Sequence, residues 1–376
     1  MKLFTAVAST AILFFLAACN DDSLAGLPAC DSEVSLAALP LAEADFTSII
    51  PLGNLSPTSH TFPTEHHYFV LSRDPDHSDR ALRAPVYAMQ NGWVVEVSSV
   101  EHVKQGFTDY DLTLGVCADF SIGYGHLSSL STELSEALGR SRHCETYMTD
   151  GNTYKRCSYD VRLPVVVGQL LGEAGGNPGQ YALDLGAKDF RRQQNSFANE
   201  QRYRDEASDL LYSVSPLAYL EPAPGAVADS HMGGWAGKPR TIEPLYGEIA
   251  YDVAGSAMGN WFREGQPFYP EDPHLSLVKD NVDPSQYAIS IGTSLGGMAG
   301  YVVLFAPQHS GLIDRAFEEI TDENTYCYPS QRPGSSAPGG RILIRLEGAT
   351  GLLAEFQKGL SCDESLAFTQ PKRFSR

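Results

Sequence analysis

Residues 84–97 read APVYAMQNGWVVEV, and this stretch decides the fold of the first part of the chain. β-Branched and aromatic residues lie on both sides of the dipeptide Asn91-Gly92, which is a typical signal for a turn next to a strand. Similar short apolar runs lie before and after it, at residues 65–71, 111–120, 165–176 and 181–187. Short runs of this kind, separated by glycine-rich turns, predict a mainly β first unit.

Strand-like runs return in the last part of the chain, at residues 247–253, 287–292, 301–306, 341–347 and 352–356. Between the two groups, residues 221–240 (EPAPGAVADSHMGGWAGKPR) are rich in proline, glycine and alanine and lack a regular apolar period. We therefore interpret 221–240 as a linker between a first unit, 51–220, and a second β-rich unit, 241–376. A length of 376 residues agrees with two or three domains.

The composition indicates a folded, acidic protein. Hydrophobic residues make up 43% of the chain, which is enough to bury a core. Lys and Arg number 27 and Asp and Glu number 46, so the formal net charge is −19. Because nucleic-acid binders concentrate Lys and Arg against phosphates, this balance argues against a nucleic-acid partner.

The first residues have the features of a secretion signal. Lys2 precedes an almost wholly apolar run that ends at Ala18 and is short for a membrane-spanning helix. The end of this run, Leu16-Ala17-Ala18-Cys19, resembles the lipobox of bacterial lipoproteins. An ordinary signal peptide followed by an incidental cysteine is the alternative interpretation.

The lipobox resemblance implies a membrane anchor. Residues 1–18 would be removed as a lipoprotein signal peptide, Cys19 would be lipidated, and residues 19–50 would form a tether. Asn20 follows the cysteine where an aspartate would favour the inner membrane. We therefore predict a cell-envelope protein that faces the periplasm, on the outer rather than the inner membrane.

Six cysteines remain when Cys19 is set aside, an even number that suits disulfides in an oxidising compartment. Two of them flank a polar, turn-like stretch and two lie together in the second unit. We predict three disulfides: Cys144–Cys157, Cys327–Cys362 and Cys30–Cys117. A thiolate metal site is the alternative, although the chain contains no C-x-x-C motif.

The order of the runs in the first unit resembles that of lysostaphin-type (LytM-like) zinc metallopeptidases, which cleave peptidoglycan cross-links. The resemblance covers roughly residues 60–190 and is most specific in APVYAMQNGWVV and in YGHLSSL, residues 124–130. The glycine-spaced stretch VGQLLGEAGG supports it. The resemblance implies an antiparallel LytM-like β-sheet domain followed by a second β-rich domain.

The resemblance also assigns site residues, and two of them depart from the family pattern. The family binds zinc through the H-x-x-x-D motif of one strand and the second histidine of an H-x-H motif on a later strand. His66 corresponds to the first ligand, but Val70 stands where the aspartate belongs. Asp184 stands in place of the second histidine of H-x-H, and Ala182 in place of the first. His126, in the Y-x-H-L motif, corresponds to the catalytic histidine.

Three interpretations of this residue set remain open. The first is a rearranged zinc site of His66, Asp184 and His60, with His126 beside it. The second is a non-catalytic relic, in which His66 and His126 are hydrogen-bonded residues that line a groove. The third is an active enzyme of the ordinary family type. His67 should point to the opposite face of its strand from His66 and is not expected to be a ligand.

Two motifs of the second unit have simpler explanations than catalysis. GTSLG (292–296) fits the G-x-S-x-G motif of hydrolases, but the acid and histidine of a triad do not follow in the required order, which favours a turn. GNWF (259–262) offers a candidate ligand-facing aromatic pair, although a core tryptophan is the commoner explanation.

We therefore expect a lipid-anchored envelope protein whose peptidase-like domain is non-catalytic and binds peptidoglycan peptides or regulates an envelope hydrolase. One alternative is a zinc metalloendopeptidase with altered ligands that acts on peptidoglycan cross-links. Another is a structural lipoprotein whose second unit forms a ligand-binding barrel.

Overall fold

The computed structural model describes residues 22–149, 152–332 and 336–376. The chain forms two antiparallel β-sheets, so the prediction of a mainly β protein with two β-rich units is confirmed. The predicted signal peptide, 1–18, and the predicted lipidation site, Cys19, lie outside the described residues. Within the described ranges, no helix is long and apolar enough to cross a membrane.

The first sheet contains eleven strands. They are β1 (Phe46–Ile50), β2 (His66–Leu71), β3 (Ala84–Tyr87), β4 (Gly92–His102), β5 (Phe107–Cys117), β6 (Phe120–Leu130), β7 (His143–Thr149), β8 (Asn152–Val165), β9 (Leu170–Ala174), β10 (Ala182–Asp189) and β11 (Ser213–Val214). The main path is β1-β2-β10-β6-β5-β4-β8-β7, while β3 pairs with β9, β9 with β6, and β11 with β10. Strand β10 therefore lies between two strands that are distant from it in sequence.

The strands of the first sheet have one apolar and one polar face, and β10 illustrates the reason. Leu183 and Leu185 are fully buried in the main hydrophobic core. Asp184 and Gly186 alternate with them and therefore lie on the opposite face. This second face carries the candidate site.

All five apolar runs of the first unit contain strands. The stretch 84–97 differs from a simple hairpin, because its two strands do not pair with each other. Strand β3 pairs with β9, while β4 pairs with β5 and β8. The turn between them is fixed by the Asn91 side chain, whose Oδ1 accepts a hydrogen bond from the Val167 N–H at 2.9 Å.

The second sheet contains eight strands, in the order β15-β14-β13-β12-β19-β18-β17-β16. They are β12 (Gly259–Arg263), β13 (Leu275–Lys279), β14 (Tyr287–Ile291), β15 (Tyr301–Phe305), β16 (Tyr326–Pro329), β17 (Gly340–Glu347), β18 (Gly351–Lys358) and β19 (Lys372–Ser375). Trp261, Phe305, Phe317 and Tyr328 are buried in its core. Trp261 is thus a core residue rather than a ligand-facing one.

Two predictions about the second unit have different outcomes. The run 247–253 forms no strand, apart from an isolated bridge between Gly247 and Leu52, so that strand prediction was wrong. Its apolar residues Ile249 and Tyr251 are buried by packing rather than by strand pairing. The GTSLG motif lies in an irregular turn between β14 and β15, as predicted.

The helices are short. They are α1 (Thr132–Ala137), α2 (Glu200–Glu206) and α3 (Pro222–His231). Single 3-10 turns lie at Asp22–Leu24, Glu43–Asp45, Ser208–Tyr212, Pro216–Tyr219 and Phe317–Glu319. Helix α3 lies within the segment 221–240, which the sequence presents as an unstructured linker. Proline at the start favours a helix there, and Ala228 and Met232 are buried in the core of the first sheet.

Much of the predicted tether, 19–50, also packs on the first sheet. Leu36 and Leu41 are buried in its core, and the last five residues of the tether form β1. The disulfides support this arrangement. All three predicted pairs are formed: Cys30–Cys117, Cys144–Cys157 and Cys327–Cys362. The second of them crosses the β7–β8 hairpin.

The two units share a hydrophobic core. Phe62 of the first unit lies 5.0 Å from Phe262 and 5.8 Å from Phe268 of the second unit, measured between ring centroids. It also stacks on His274 at 5.2 Å. Segment 51–65, which leads into β2, is therefore anchored on the second unit.

Replacing Phe62 with Ala is expected to lower the free energy of unfolding by about 3–5 kcal/mol, because a large buried ring is removed from the shared core. Urea unfolding followed by tryptophan fluorescence measures this change. Leu304→Ala is the matched control, since the Leu304 side chain is 43% exposed and the expected loss is within about 0.5 kcal/mol. Similar losses in the two variants would contradict the anchoring role of Phe62.

Candidate functional site

Strand β10 brings three of the predicted site residues together. Its pairing with β2 and β6 places Asp184 between the two histidine-bearing strands. His66 Nε2 lies 3.3 Å from Asp184 Oδ2, and His126 Nε2 lies 3.5 Å from the same oxygen. Two imidazoles therefore share one carboxylate oxygen.

Strand β6 is distorted at His126, and two aspartates of β5 hold the distortion. His126 has a φ of 62°, in the left-handed region that residues other than glycine rarely adopt. Its backbone N–H donates to Asp111 Oδ1 at 3.3 Å, and its Nδ1 lies 2.9 Å from Asp109 Oδ2. Strained backbone persists where its surroundings enforce it, and here these contacts hold the ring toward Asp184.

Histidines and carboxylates alternate across the site. His66 Nδ1 lies 3.6 Å from Glu65 Oε1 at one end, and His102 Nε2 lies 3.5 Å from Asp109 Oδ1 at the other. We call this row the ion-pair chain, and its members in order are Glu65, His66, Asp184, His126, Asp109 and His102. With His66 and His126 protonated, each of these two charges has a carboxylate on either side, which compensates partly buried charges.

The ion-pair chain favours the charged form of its central histidines. Burial opposes protonation of His66, but the carboxylates of Asp184 and Glu65 outweigh it and raise its pKa to about 9. Asp184 and, less strongly, Asp109 raise the pKa of His126 to about 10 against the opposing effect of burial. At neutral pH both rings therefore carry protons on both nitrogens.

His60 reaches the site through the turn that precedes β2. Paired backbone hydrogen bonds between Ser56 and His60 close this turn. The His60 ring lies edge-on to that of His66, with centroids 5.4 Å apart. Burial, helped by the nearby charge of His66, lowers the pKa of His60. His60 is therefore a neutral histidine that lies next to the charged His66.

The second unit holds this turn in place. Glu271 Oε2 accepts a hydrogen bond from the Phe62 N–H at 2.9 Å, across 209 positions of sequence. Burial raises the pKa of Glu271 to about 8. The segment that positions His60 and His66 therefore depends on a side chain from the other unit.

The zinc ligand set implied by the family resemblance does not fit the residues present. Val70 and Ala182 face each other directly across β2 and β10. With Ile50 and Tyr68 they form a small apolar cluster, and Trp235 packs on Tyr68 with ring centroids 5.4 Å apart. Among the described residues, no group of three or more His, Cys, Asp or Glu is arranged to hold a metal ion.

His67 lies on the opposite face of β2 from His66, as strand alternation predicts. Its Nδ1 lies 3.0 Å from the Ile50 carbonyl oxygen, and its Nε2 lies 2.8 Å from Ser215 Oγ. Burial lowers the pKa of His67 to about 3. This histidine is neutral and structural.

Two buried atoms of the site have no hydrogen-bond partner, His66 Nε2 and Asp184 Oδ1. The Nε2 atom of His66 lies 3.3 Å from the other carboxylate oxygen of Asp184, Oδ2, and forms an ion pair with it, but the geometry is not that of a hydrogen bond. A buried polar atom without a partner costs about 1–3 kcal/mol. The site therefore retains the capacity to bind an additional polar group.

A groove of about 380 Å³ opens over the polar face of the first sheet. Charges of both signs line it, from Glu65, Glu96, Asp111, Asp184, Arg156 and Lys188. Glycines and small hydroxyl residues lie between them, including Gly123, Gly186 and Thr113. A concave site of this size with a few converging polar groups is the usual form of a binding site.

Sequence reasoning placed His60, His66, His126 and Asp184 in one site, and the structure brings them together. It missed other members of the same site: Glu65, Asp109, Asp111, His102 and Glu271. The spacing of Asp109 and Asp111 on β5 was the available signal, because residues two apart share a strand face. His102 joins the site through its contact with Asp109, and no local pattern in the sequence indicates that contact.

Comparison of the chain with models of known families, with curated proteins and with solved structures returned no match.

Asp184→Asn is expected to lower the raised pKa values of His66 and His126 and to destabilise the protein in a pH-dependent way. A raised histidine pKa contributes stability that is complete below the unfolded value of 6.5 and disappears as the pH rises through about 9 to 10. The difference in free energy of unfolding between wild type and variant should therefore be largest near pH 6 and smallest near pH 10. Urea unfolding across this range, with NMR titration of the rings, measures both effects.

The exposed Asp205→Asn on α2 is the control for the loss of one carboxylate. This control substitution should leave the pKa values of His66 and His126 unchanged. A constant difference between wild type and Asp184→Asn at every pH would contradict the shared ion pair.

Proposed function

We propose that this chain is a lipid-anchored cell-envelope protein whose first sheet binds peptidoglycan peptides, or a partner hydrolase of the wall, without catalysing a reaction. This proposal rests on one end of the ion-pair chain, Glu65, His66 and Asp184, which lines an open groove. The groove combines a concave polar surface with site residues that neutralise one another. The lipobox resemblance of residues 16–19 and the three disulfides support an envelope location.

The residues at the ligand positions of the family favour binding over metal chemistry. Of the ligand set that the resemblance implies, His66 and Asp184 remain, and they form an ion pair at 3.3 Å. The positions of Val70 and Ala182, which the family uses for polar side chains, contribute only apolar packing.

The charge pattern of the groove suits a ligand that carries both signs. Peptides of the wall bear carboxylates as well as an amine, and the groove offers Arg156 and Lys188 alongside Glu96 and Asp111. A polyanion would meet more carboxylates than cations on these walls. Such pairing of opposite charges contributes to the selection of a partner more than to affinity.

The purified full-length protein should contain well below one zinc per chain, measured by mass spectrometry of metals, and should be retained on purified wall sacculi. Substitution of Asp184 by Asn should weaken this retention, because it breaks the ion-pair chain at the end that lines the groove. The control Asp205→Asn should be retained like wild type. Absence of retention by wild type would refute peptidoglycan binding, and an unsuccessful search for a bound hydrolase would refute the partner version.

A zinc metalloendopeptidase with altered ligands is the second candidate. Two buried atoms without a hydrogen-bond partner, His66 Nε2 and Asp184 Oδ1, favour this second candidate, because each is able to bind a further group. Stoichiometric zinc that is lost in His66→Ala, together with wall-lytic activity that is lost in His126→Ala, would establish this candidate and refute the non-catalytic proposal.

A further inference from the structure

The groove is long enough for a peptide. Most of its lining residues come from six neighbouring strands, β2, β10, β6, β5, β4 and β8, and Glu65 and Ser213 lie at its edge. Neighbouring strands lie about 4.8 Å apart, so the groove spans about 24 Å along the sheet. An extended chain advances about 3.3 Å per residue, so this length accommodates about seven residues.

The middle of the groove is deep because two glycines lie side by side in it. Gly123 of β6 pairs directly with Gly186 of β10. A Cβ atom added at Gly123 would meet no other atom within 4 Å, so the space above it is open. One at Gly186 would meet only the Glu65 carbonyl oxygen and the His66 backbone and Cβ at 3.4 Å or more. A ligand main chain can therefore approach the sheet closely at this point.

The two ends of the groove differ in chemistry. At the β2 end, His66 and Glu65 belong to the ion-pair chain. At the β8 end, the guanidinium of Arg156 acts electrostatically on the buried Asp111, although the described residues show no hydrogen bond or ion pair to it. Lys188, in contrast, is paired with Asp209 at 2.6 Å. Arg156 is exposed and therefore available to bind an incoming carboxylate, which guanidinium groups hold through two parallel hydrogen bonds.

We propose that the groove binds an extended peptide, whose main chain crosses the Gly123–Gly186 pair and one of whose carboxylates binds Arg156. This proposal rests on the proposed wall-binding function and specifies the ligand as a peptide of about seven residues or fewer that carries a free carboxylate. Arg156 is then the residue that distinguishes a free carboxylate from its amide.

The test uses a synthetic five-residue wall stem peptide, as the free acid and with its carboxylates converted to amides, titrated into the purified full-length protein by calorimetry. Wild type should bind the free acid about fivefold more tightly than the amide, as expected of an exposed ion pair worth up to about 1 kcal/mol. Arg156→Gln should bind both peptides equally, and Arg156→Lys should restore part of the preference.

Gly123→Val tests the path of the main chain. The valine side chain would fill the open space in the groove, and strand β6 tolerates a β-branched residue, so binding of both peptides should weaken by about tenfold or more. Gly139→Val is the matched control, because a Cβ there also meets no atom within 4 Å and the residue lies outside the groove. Thermal melting of both variants verifies that they fold.

The outcomes separate this proposal from the proposed function. Wild type that is retained on sacculi but does not bind either peptide would overturn the peptide groove and leave the binding function standing. Folded Gly123→Val with unchanged affinity, or Arg156→Gln that keeps the preference for the free acid, would also overturn it. Wild type that is not retained on sacculi would refute peptidoglycan binding itself.

Discussion

The register of strand β10 between β2 and β6 is the constraint on which the candidate site depends. Side chains alternate along a strand, so a shift by one residue would exchange the two faces of β10. Asp184 would then enter the main core, and Leu183 and Leu185 would point into the groove. Because those leucines are fully buried, hydrophobic packing fixes the register, and the register in turn places one carboxylate between two histidines.

The same register explains why the site differs from the family pattern that the sequence resembles. It brings Val70 and Ala182 opposite each other, so two positions expected to be polar form an apolar cluster instead. His66 and Asp184, the polar residues that remain at the family's ligand positions, are largely buried and need neighbouring charges to compensate them. Alternating histidines and carboxylates solve this problem, since each charge is stabilised by its neighbours.

The sequence predicted correctly those features that depend on local pattern alone. Strand alternation correctly placed His66 and Asp184 on one face and His67 on the other, because that rule needs no knowledge of partners. The cysteine pairs also followed from position and local context. The pairing of β3 with β9 rather than β4 was beyond such reasoning, since strand partners depend on long-range packing. Helix α3 was not predicted for a related reason. Its proline, glycine and alanine residues show no apolar period, and the helix is packed on the first sheet through a long-range contact at Ala228.

The second unit belongs to the candidate site although the sequence connects it with no function. Phe62 is buried between the two units, and Glu271 accepts the hydrogen bond of its backbone N–H. These contacts fix the segment that carries His60, Glu65 and the start of β2. An isolated first unit would leave Phe62 exposed and this segment without its anchor, so the geometry around His66 would be lost. The two units therefore share a core, and the second unit supports the segment that leads into the β2 wall of the groove.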